Sequence, residues 1–243
     1  MIAGMSATYL LAGFAPGLFW LWWIRRKDDL EPEPRGLVLR VFTLGFVSAL
    51  GVFLLRPTYG LWLEDLVGGE PRWLRESFDA FVITGAGEEL AKVLAFAIGA
   101  FYHHELDEPL DGIVYGVAAA LGFASFENIV FLARYEDLSV IFYRGFTSTL
   151  GHVAFTGSIG FFFGRAKFAG ARGRRWSLMA IGLLVGITLH GAYDLFLFLP
   201  SLPDTAALLV VLPLCLVLIG LKIRWARGQS PHYHPTLSEK PPV

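Results

Sequence analysis

One apolar stretch of the sequence contains three ionisable side chains that could do chemistry together. Glu88, Glu89 and Lys92 interrupt the segment ITGAGEELAKVLAFAIGAF, which covers residues 83–101. On a helix, Lys92 lies four residues after one glutamate and three after the other, so its amine can contact a carboxylate of the same helix. A neighbouring ammonium helps keep a buried carboxyl group ionised. This spacing predicts a carboxylate that could act as a general base in an apolar environment.

Further ionisable residues occur in three other apolar stretches. Glu127 and Asn128 lie in GFASFENIVFL, and His152 lies in STLGHVAFTGSIG. His190 and Asp194 lie four residues apart in ITLHGAYDLFLF and share one face of a helix. An ionisable residue at the centre of a membrane helix costs about 2.5–3.5 kcal/mol on insertion scales, so several are expensive unless they face one another. We therefore expect these residues to form one functional site.

The types of these residues suit hydrolysis by an activated water molecule. Histidine and carboxylate ligands favour a divalent transition metal, with Zn2+ the first choice, and a bound metal lowers the pKa of water to about 7. Without a metal, a glutamate can activate the water while an imidazole stabilises the oxyanion. In either case the expected reaction is hydrolysis of a peptide bond at the membrane. The expected metal or water ligands are Glu127, His152 and His190.

The other residues of the expected site have proton-transfer or supporting roles. Glu88 is the expected general base, and Glu89 is a second base or a ligand. Lys92 would hold the two carboxylates in place, whereas Asn128 and Asp194 would orient or polarise the reacting groups. These assignments follow from residue type and spacing.

The composition indicates the broad class of protein. The 243 residues are 55% hydrophobic and 17% charged, below the roughly 25% of a typical soluble domain. Apolar runs near 20 residues long predict an all-α, polytopic membrane helix bundle, with residues 1–228 forming one transmembrane domain and 229–243 a disordered tail. The net charge of −1 argues against a nucleic-acid partner. The seven expected spans are 5–24, 36–55, 80–101, 111–132, 145–163, 178–198 and 205–223.

The distribution of Lys and Arg predicts the orientation of the bundle. Basic residues concentrate in the connections 25–35 and 164–177 and after the last span, which the positive-inside rule places in the cytoplasm. The N-terminus is then outside and the C-terminus inside. Counted from the outer end of each span, the carboxylates and histidines of the expected site fall in one layer, roughly 6–14 Å below the outer edge. This shared depth supports a single site near the outer face.

Two connecting segments are expected to face water or the membrane interface. Pro57 lies at the edge of the second span, so residues 56–79 are predicted to form a longer connection at the interface. At the opposite side of the membrane, Asp107, Glu108 and Asp111 are expected to form a solvated face before the fourth span.

Three other interpretations of the polar residues are open. Each group taken alone could be structural, as an ion pair between helices or as a hydrogen-bonded core histidine. A proton- or metal-coupled transporter would also bury Glu, His and Asp, but it predicts polar residues through the membrane to both faces. A non-catalytic scaffold or receptor could retain the same fold. The concentration of the polar residues in one layer favours hydrolysis.

Three motifs, in this order, resemble those of a known family. The segments EELAK, FASFE and HGAYD match the patterns Glu-Glu-x-x-Lys, Phe-x-x-x-Glu and His-x-x-x-Asp. Over roughly residues 80–200 the chain resembles the PrsW family of intramembrane proteases, which is related to the type II CAAX prenyl proteases. The resemblance implies a multi-pass protein of a bacterial plasma membrane that cleaves a membrane-anchored substrate near its outer face, such as an anti-sigma factor. The CAAX-type relatives imply metal-free, glutamate-dependent hydrolysis as an alternative.

Overall fold

The secondary structure is entirely helical in the part of the chain that the structure describes. The computed structural model describes residues 7–231, and no β-strand occurs among them. The predicted all-α class is confirmed. Residues 1–6 and 232–243 lie outside the described residues, and they include most of the tail predicted at 229–243.

α-Helices and π-helical segments follow one another along the described residues. The chain from α3 to π2 is one continuous helical run, and so is the chain from α9 to α10. The segments are α1 (Ala7–Arg25), α2 (Arg35–Val67), α3 (Arg72–Phe78), π1 (Asp79–Ala86), α4 (Gly87–Phe96), π2 (Ala97–Phe101), α5 (Pro109–Tyr135), α6 (Ser139–Phe146), α7 (Ser148–Lys167), α8 (Arg172–Phe198), α9 (Asp204–Ala206), π3 (Ala207–Val211) and α10 (Leu212–Arg227).

Five helices of the described chain are long and apolar enough to cross a membrane, namely α1, α2, α5, α8 and Ala207–Arg227. The protein is therefore a multi-pass membrane protein. The other two expected spans, 80–101 and 145–163, are also helical but are not among these five. Segment 80–101 carries Glu88 and contains π-helical turns, and segment 145–163 carries His152. These features shorten the regular apolar helix in each segment. The count of seven spans and the orientation stay predictions.

The second helix is longer than the sequence indicates. α2 runs from Arg35 to Val67 with Pro57 inside it, so the predicted connection at 56–79 is wrong over its first part. Proline removes one backbone donor, yet membrane helices tolerate it because an uninterrupted helix satisfies the remaining polar groups of the backbone. The extra turns carry Arg56, whose position matters for the cavity described below.

The acidic residues before α5 are buried rather than solvated. Glu108 and Asp111 are only 2% and 1% exposed, whereas Asp107 is exposed. The connection between α1 and α2 covers them, because it places Asp28 beside both carboxylates. Asp111 also accepts the backbone N–H groups of residues 107 and 108 at 2.8 and 2.7 Å, while Pro109 begins the helix. Such capping fixes the start of α5.

α5 is the central helix of the bundle and is buried over most of its length. It packs against α1, α2 and α7. A Cβ atom on Gly112 would overlap the backbone of Gly160 on α7, and one on Gly122 would overlap the carbonyl of Phe42 on α2. Small residues at these crossings allow the backbones to approach closely. The polar side chains of α5 and α7 are therefore brought within contact distance.

The π1 segment brings the start of α4 against α8. A Cβ atom on Gly85 would lie 3.3 Å from the carbonyl oxygen of Ile187 and 3.4 Å from the backbone nitrogen of Gly191, so only a small residue fits there. A π-helical turn also rotates the residues that follow it, and such turns are frequent at functional sites. As a result, Glu89 at the start of α4 contacts His190 on α8.

Candidate active site

The eight polar residues singled out in the sequence lie in one connected cluster. They come from α4, α5, α7 and α8, which the packing described above holds together. Seven of the eight contact one another directly, and Asn128 is joined to them through Arg144, which contacts both Asn128 and Glu127. The members of the cluster are Glu88, Glu89, Lys92, Glu127, Asn128, His152, His190 and Asp194.

Lys92 lies at the centre of the cluster and is fully buried. Its Nζ atom lies 2.9 Å from Glu89 Oε1, 3.2 Å from Glu88 Oε2 and 2.9 Å from His152 Nδ1. It also lies 4.3 Å from the ring centroid of Phe123. A buried ammonium needs such partners, because an unpaired charge in an apolar interior is strongly unfavourable. Lys92 therefore fixes the positions of both glutamates of α4 and of the histidine of α7.

The contacts of His152 define its protonation pattern. A protonated lysine can only donate, so the Nδ1 atom of His152 accepts the hydrogen bond from Lys92. The Nε2 atom then carries the proton and donates it to Glu127 Oε2 at 2.8 Å. Both ring nitrogens of His152 are therefore engaged, and the ring is held between α4 and α5.

His190 has carboxylate groups at both nitrogens of its ring. Its Nδ1 atom lies 2.8 Å from Glu89 Oε1. Its Nε2 atom lies 3.3 Å from Asp194 Oδ2 and 3.8 Å from Glu88 Oε2. A carboxylate oxygen can only accept a hydrogen bond, so these contacts are best satisfied by a protonated ring that donates from Nδ1 to Glu89 and from Nε2 to Asp194. The ring also stacks on Phe155, with centroids 5.0 Å apart.

Glu88 and Glu89 have different environments although they are adjacent in the sequence. Glu89 is fully buried and has contacts with Lys92, His190 and the hydroxyl group of Thr156, which donates at 2.7 Å. Glu88 lines a cavity and makes only longer contacts. Thr156 was not anticipated from the sequence, because a threonine in a membrane helix is common and carries no distinctive signal. Glu89 is therefore enclosed by its partners, whereas Glu88 faces the cavity.

Arg144 of α6 is a further member of the site that the sequence analysis missed. Its Nη2 atom lies 3.3 Å from Glu127 Oε2, and its Nε atom donates to Asn128 Oδ1 at 2.8 Å. Its guanidinium group also packs 3.8 Å from the ring centroid of Phe131. Asn128 in turn donates to Thr149 at 3.2 Å, so it orients Arg144. In the sequence, Arg144 is one of several basic residues near span ends, which is why it was not distinguished.

A cavity of about 410 Å³ opens onto the cluster. Its walls carry carboxylates, imidazoles, aromatic rings and three arginines, which is the mixture expected of a site that binds part of a polypeptide. The lining includes Glu88, Glu127, His152, His190, Asp194, Phe123, Phe155, Tyr193, Arg56, Arg134 and Arg144.

The donor set at the cavity fits a transition metal in type, number and spacing. One ligand atom from each of Glu88, His152 and His190 lies within 4.8 Å of the others. Two imidazoles and one carboxylate form the protein ligands of many catalytic zinc sites. To bind a metal, His190 would have to lose the proton that Nε2 directs at Asp194, and His152 would have to exchange one of its two present partners. Glu127 is not in this set, and its predicted role as a ligand stays a prediction.

The chain is similar to a family of membrane proteases over most of its length. Residues 33–219 match the family described as PrsW family intramembrane metalloprotease. Protease PrsW of Geobacillus kaustophilus (strain HTA426) is 35% identical over 187 residues, which cover 77% of this chain and 78% of the relative. Protease PrsW of Bacillus subtilis (strain 168) is 34% identical over 187 residues, which cover 76% and 81%. No solved structure matches the chain.

A longer match at lower identity extends the same similarity. Protease PrsW of Halalkalibacterium halodurans is 28% identical over 220 residues, which cover 89% of this chain and 94% of the relative. The similarity thus reaches well beyond residues 80–200, on which the resemblance of the three motifs was based. The family match and the identity of these relatives show that the chain belongs to the PrsW family of intramembrane proteases.

Proposed function

We propose that the protein is an endopeptidase that hydrolyses a peptide bond of a membrane-anchored protein or peptide inside the cavity. The observation that carries this proposal is the convergence of Glu88, His152 and His190 on one cavity. These residues come from three different helices, α4, α7 and α8. Burying them together is expensive in a membrane, and a catalytic role explains why they are there.

Glu88 is placed to accept the proton of the attacking water. Among the glutamates of the cluster it has the longest polar contacts, 3.2 Å to Lys92 and 3.8 Å to His190, and it lines the cavity. Glu89 and Glu127 each have a contact of 2.8 Å to an imidazole. A general base needs an oxygen that can bind water, and Glu88 is the carboxylate least occupied by other partners.

The remaining residues hold the reacting groups in position. Glu89 and Lys92 fix the orientation of His190 and Glu88, and Arg144 fixes Glu127 against His152. When protonated, His190 donates from both nitrogens, and its Nε2–H group can stabilise the oxyanion that develops on the scissile carbonyl.

The same site has the residues to hold a metal. Zn2+ bound by Glu88, His152 and His190 would supply a Lewis acid that polarises the scissile carbonyl. In that case Glu127, the cavity glutamate outside the donor set, would be the general base. Both versions therefore require a glutamate and the two histidines, and they differ in which glutamate is the base.

The cavity is proposed to receive its substrate from the outer side of a bacterial plasma membrane. Arg134 and Phe198 line it, and they lie at the ends of α5 and α8 that the distribution of basic residues assigns to the outside. A cut there would be of the site-1 type, near the outer end of a single-span protein. An anti-sigma factor is one such substrate.

A transporter is less well supported by the same structure. A second buried acidic cluster contains Asp111 near the start of α5, and Glu127 lies sixteen residues later, about 24 Å along the helix. Between them, the stretch VAAALGFA of α5 is apolar. Because a proton or ion pathway needs polar groups across the membrane, this apolar stretch favours hydrolysis over transport.

The proposal can be tested without knowing the substrate. Membranes of bacterial cells that produce the wild type or Glu88→Gln are compared by labelling of new protein N-termini and mass spectrometry. We expect N-termini at the outer ends of single-span proteins that are present with the wild type and absent with the variant. Glu70→Gln is the matched control, because Glu70 is exposed and lies outside the cavity. Identical N-terminal profiles for the wild type and Glu88→Gln would refute the proposal.

A further inference from the structure

Three carboxylates meet at the end of the bundle opposite the active site. Asp28 lies in the connection between α1 and α2, Glu108 directly precedes α5, and Asp111 lies in its first turn. One oxygen of each lies within 4.8 Å of the others, and all three side chains are buried. This acidic cluster lies outside the lining of the catalytic cavity and is not used in the proposed hydrolysis.

One carboxylate oxygen of the acidic cluster points to a missing ligand. Asp28 is 1% exposed, and its Oδ2 atom accepts the backbone N–H of Glu33 at 3.1 Å. Its Oδ1 atom is buried and has no hydrogen-bond partner among residues 7–231. A buried carboxylate oxygen without a donor or a cation is strongly unfavourable, so such atoms are rare unless they bind something.

The basic side chains near the acidic cluster are directed at carbonyl oxygens. Arg25 donates to the backbone carbonyl of Glu33 at 3.0 Å, and Lys167 donates to the backbone carbonyl of His103 at 2.6 Å. The carboxylate of Glu33, which is also buried, accepts a hydrogen bond from the Tyr115 hydroxyl group. Among the described residues, Asp28, Glu33 and Asp111 therefore form no ion pair with either of these basic groups.

We propose that Asp28, Glu108 and Asp111 bind a hard divalent cation of the Ca2+ or Mg2+ class. Carboxylate oxygens are the ligands that these cations prefer, and the acidic cluster contains no imidazole or thiolate that would select zinc or copper. The cation would neutralise the excess of carboxylates. It would also join the connection between α1 and α2 to the start of α5.

The test uses the full-length protein in detergent micelles after treatment with a chelator. Tb3+ replaces Ca2+ at oxygen sites, and nearby aromatic residues such as Tyr115 sensitise its luminescence. We expect saturable Tb3+ luminescence that Ca2+ or Mg2+ displaces, and the cation that displaces Tb3+ at the lower concentration is the preferred ligand. In Asp28→Asn the affinity should fall at least about tenfold, because these sites depend on the number of charged ligands.

A matched control distinguishes binding by the acidic cluster from binding by any acidic side chain of the same segment. Asp107→Asn removes an exposed carboxylate from the same segment. The affinity of this variant for Tb3+ should therefore equal that of the wild type. A second measurement does not depend on any variant: Ca2+ or Mg2+ added to the chelated wild type should raise its Tm. The proposal is overturned if neither cation displaces Tb3+, if Asp28→Asn binds like the wild type, or if neither cation changes the Tm.

Discussion

Two groups of buried carboxylates lie at opposite ends of α5, and the protein neutralises them in different ways. At the active site, Glu88 and Glu89 contact Lys92, while Glu127 contacts Arg144 and His152. In the acidic cluster, Asp28 and Asp111 accept backbone N–H groups, and the neighbouring Glu33 accepts the Tyr115 hydroxyl group. The carboxylates of the candidate active site are thus paired with cationic side chains, whereas Asp28 and Asp111 form no ion pair within the described residues.

Around the acidic cluster, burial outweighs the opposing influence of the nearby Arg25 on the pKa of Asp28. Burial is the largest influence on both carboxyl groups of the connection between α1 and α2, and it raises the pKa of Asp28 to about 6 and that of Glu33 to about 9. At the active site, two cationic side chains lie among the carboxylates, which can keep a base ionised in an apolar environment. A buried carboxylate that is proposed to act as a base thus has its partner charge built into the fold.

Removing the central cation should have the largest effect. Lys92→Met leaves two glutamates without their ammonium partner, and breaking a buried ion pair in this way costs about 3–5 kcal/mol. We expect a loss of that size in the free energy of unfolding in detergent, together with loss of cleavage. Arg174→Met, at an exposed arginine, should change the free energy by less than about 0.5 kcal/mol.

A second variant distinguishes lost charge pairing from lost packing. Adding Glu89→Gln to Lys92→Met removes one of the stranded carboxylates, so part of the stability should return. A Lys92→Met variant as stable as the wild type would mean that the glutamates are protonated in the fold, and the contrast with the acidic cluster would disappear.

The metal preference should differ between the two ends of α5. The active site offers nitrogen ligands and the acidic cluster offers only oxygen, so zinc should follow the histidines. We expect near-stoichiometric zinc in the wild type by elemental mass spectrometry and none in the His152→Ala/His190→Ala variant. The control is His103→Ala/His104→Ala, which removes two histidines from a partly exposed connection and should keep the zinc. Wild-type protein purified without chelator and free of zinc would favour the metal-free mechanism with Glu88 as the base.

The polar residues of the candidate active site could be grouped from the sequence, whereas the acidic cluster could not, for a physical reason. Charged residues inside an apolar run stand out, because each one is costly in a membrane, and counting residues from the span ends was enough to group Glu88 with His190. Asp111 lies at a helix start beside other polar residues, where charge is ordinary. Its burial depends on how the preceding connection folds over it, and no periodic pattern records that packing. Arg144 was missed because it also lies near the end of a predicted span, where charged residues are common.

Arg144 gives a smaller effect that tests the pairing of charges directly. Arg144→Met removes the contact to Glu127 and the hydrogen bond to Asn128, so His152 loses part of its support. Residues that orient a catalytic group in this indirect way typically contribute about 10–100-fold to activity, and we expect a loss of kcat in that range. Arg134→Met is the control, because Arg134 also lines the cavity but has its cation–π contact with Tyr135 rather than with the site. Equal losses in both variants would indicate that the positive charge of the cavity matters and that the pairing does not.

The smallest effect, and the one of opposite sign, is expected in the acidic cluster. In the presence of chelator, Asp28→Asn replaces a buried carboxylate with an amide. The amide oxygen can still accept the N–H of Glu33, and the amide nitrogen can donate to a neighbouring carboxylate. We expect a gain of about 1 kcal/mol in the free energy of unfolding, measured by chemical unfolding in detergent. With saturating Ca2+ or Mg2+ the wild type should become the more stable of the two, because only the wild type gains binding energy.

Glu89→Gln at the candidate active site is the comparison variant and should be destabilising under both conditions, since the Glu89 carboxylate is already paired with Lys92 and His190. If Asp28→Asn were destabilising in chelator as well, the carboxylates of the acidic cluster would already be satisfied within the fold, and the two ends of α5 would not differ in the way described above.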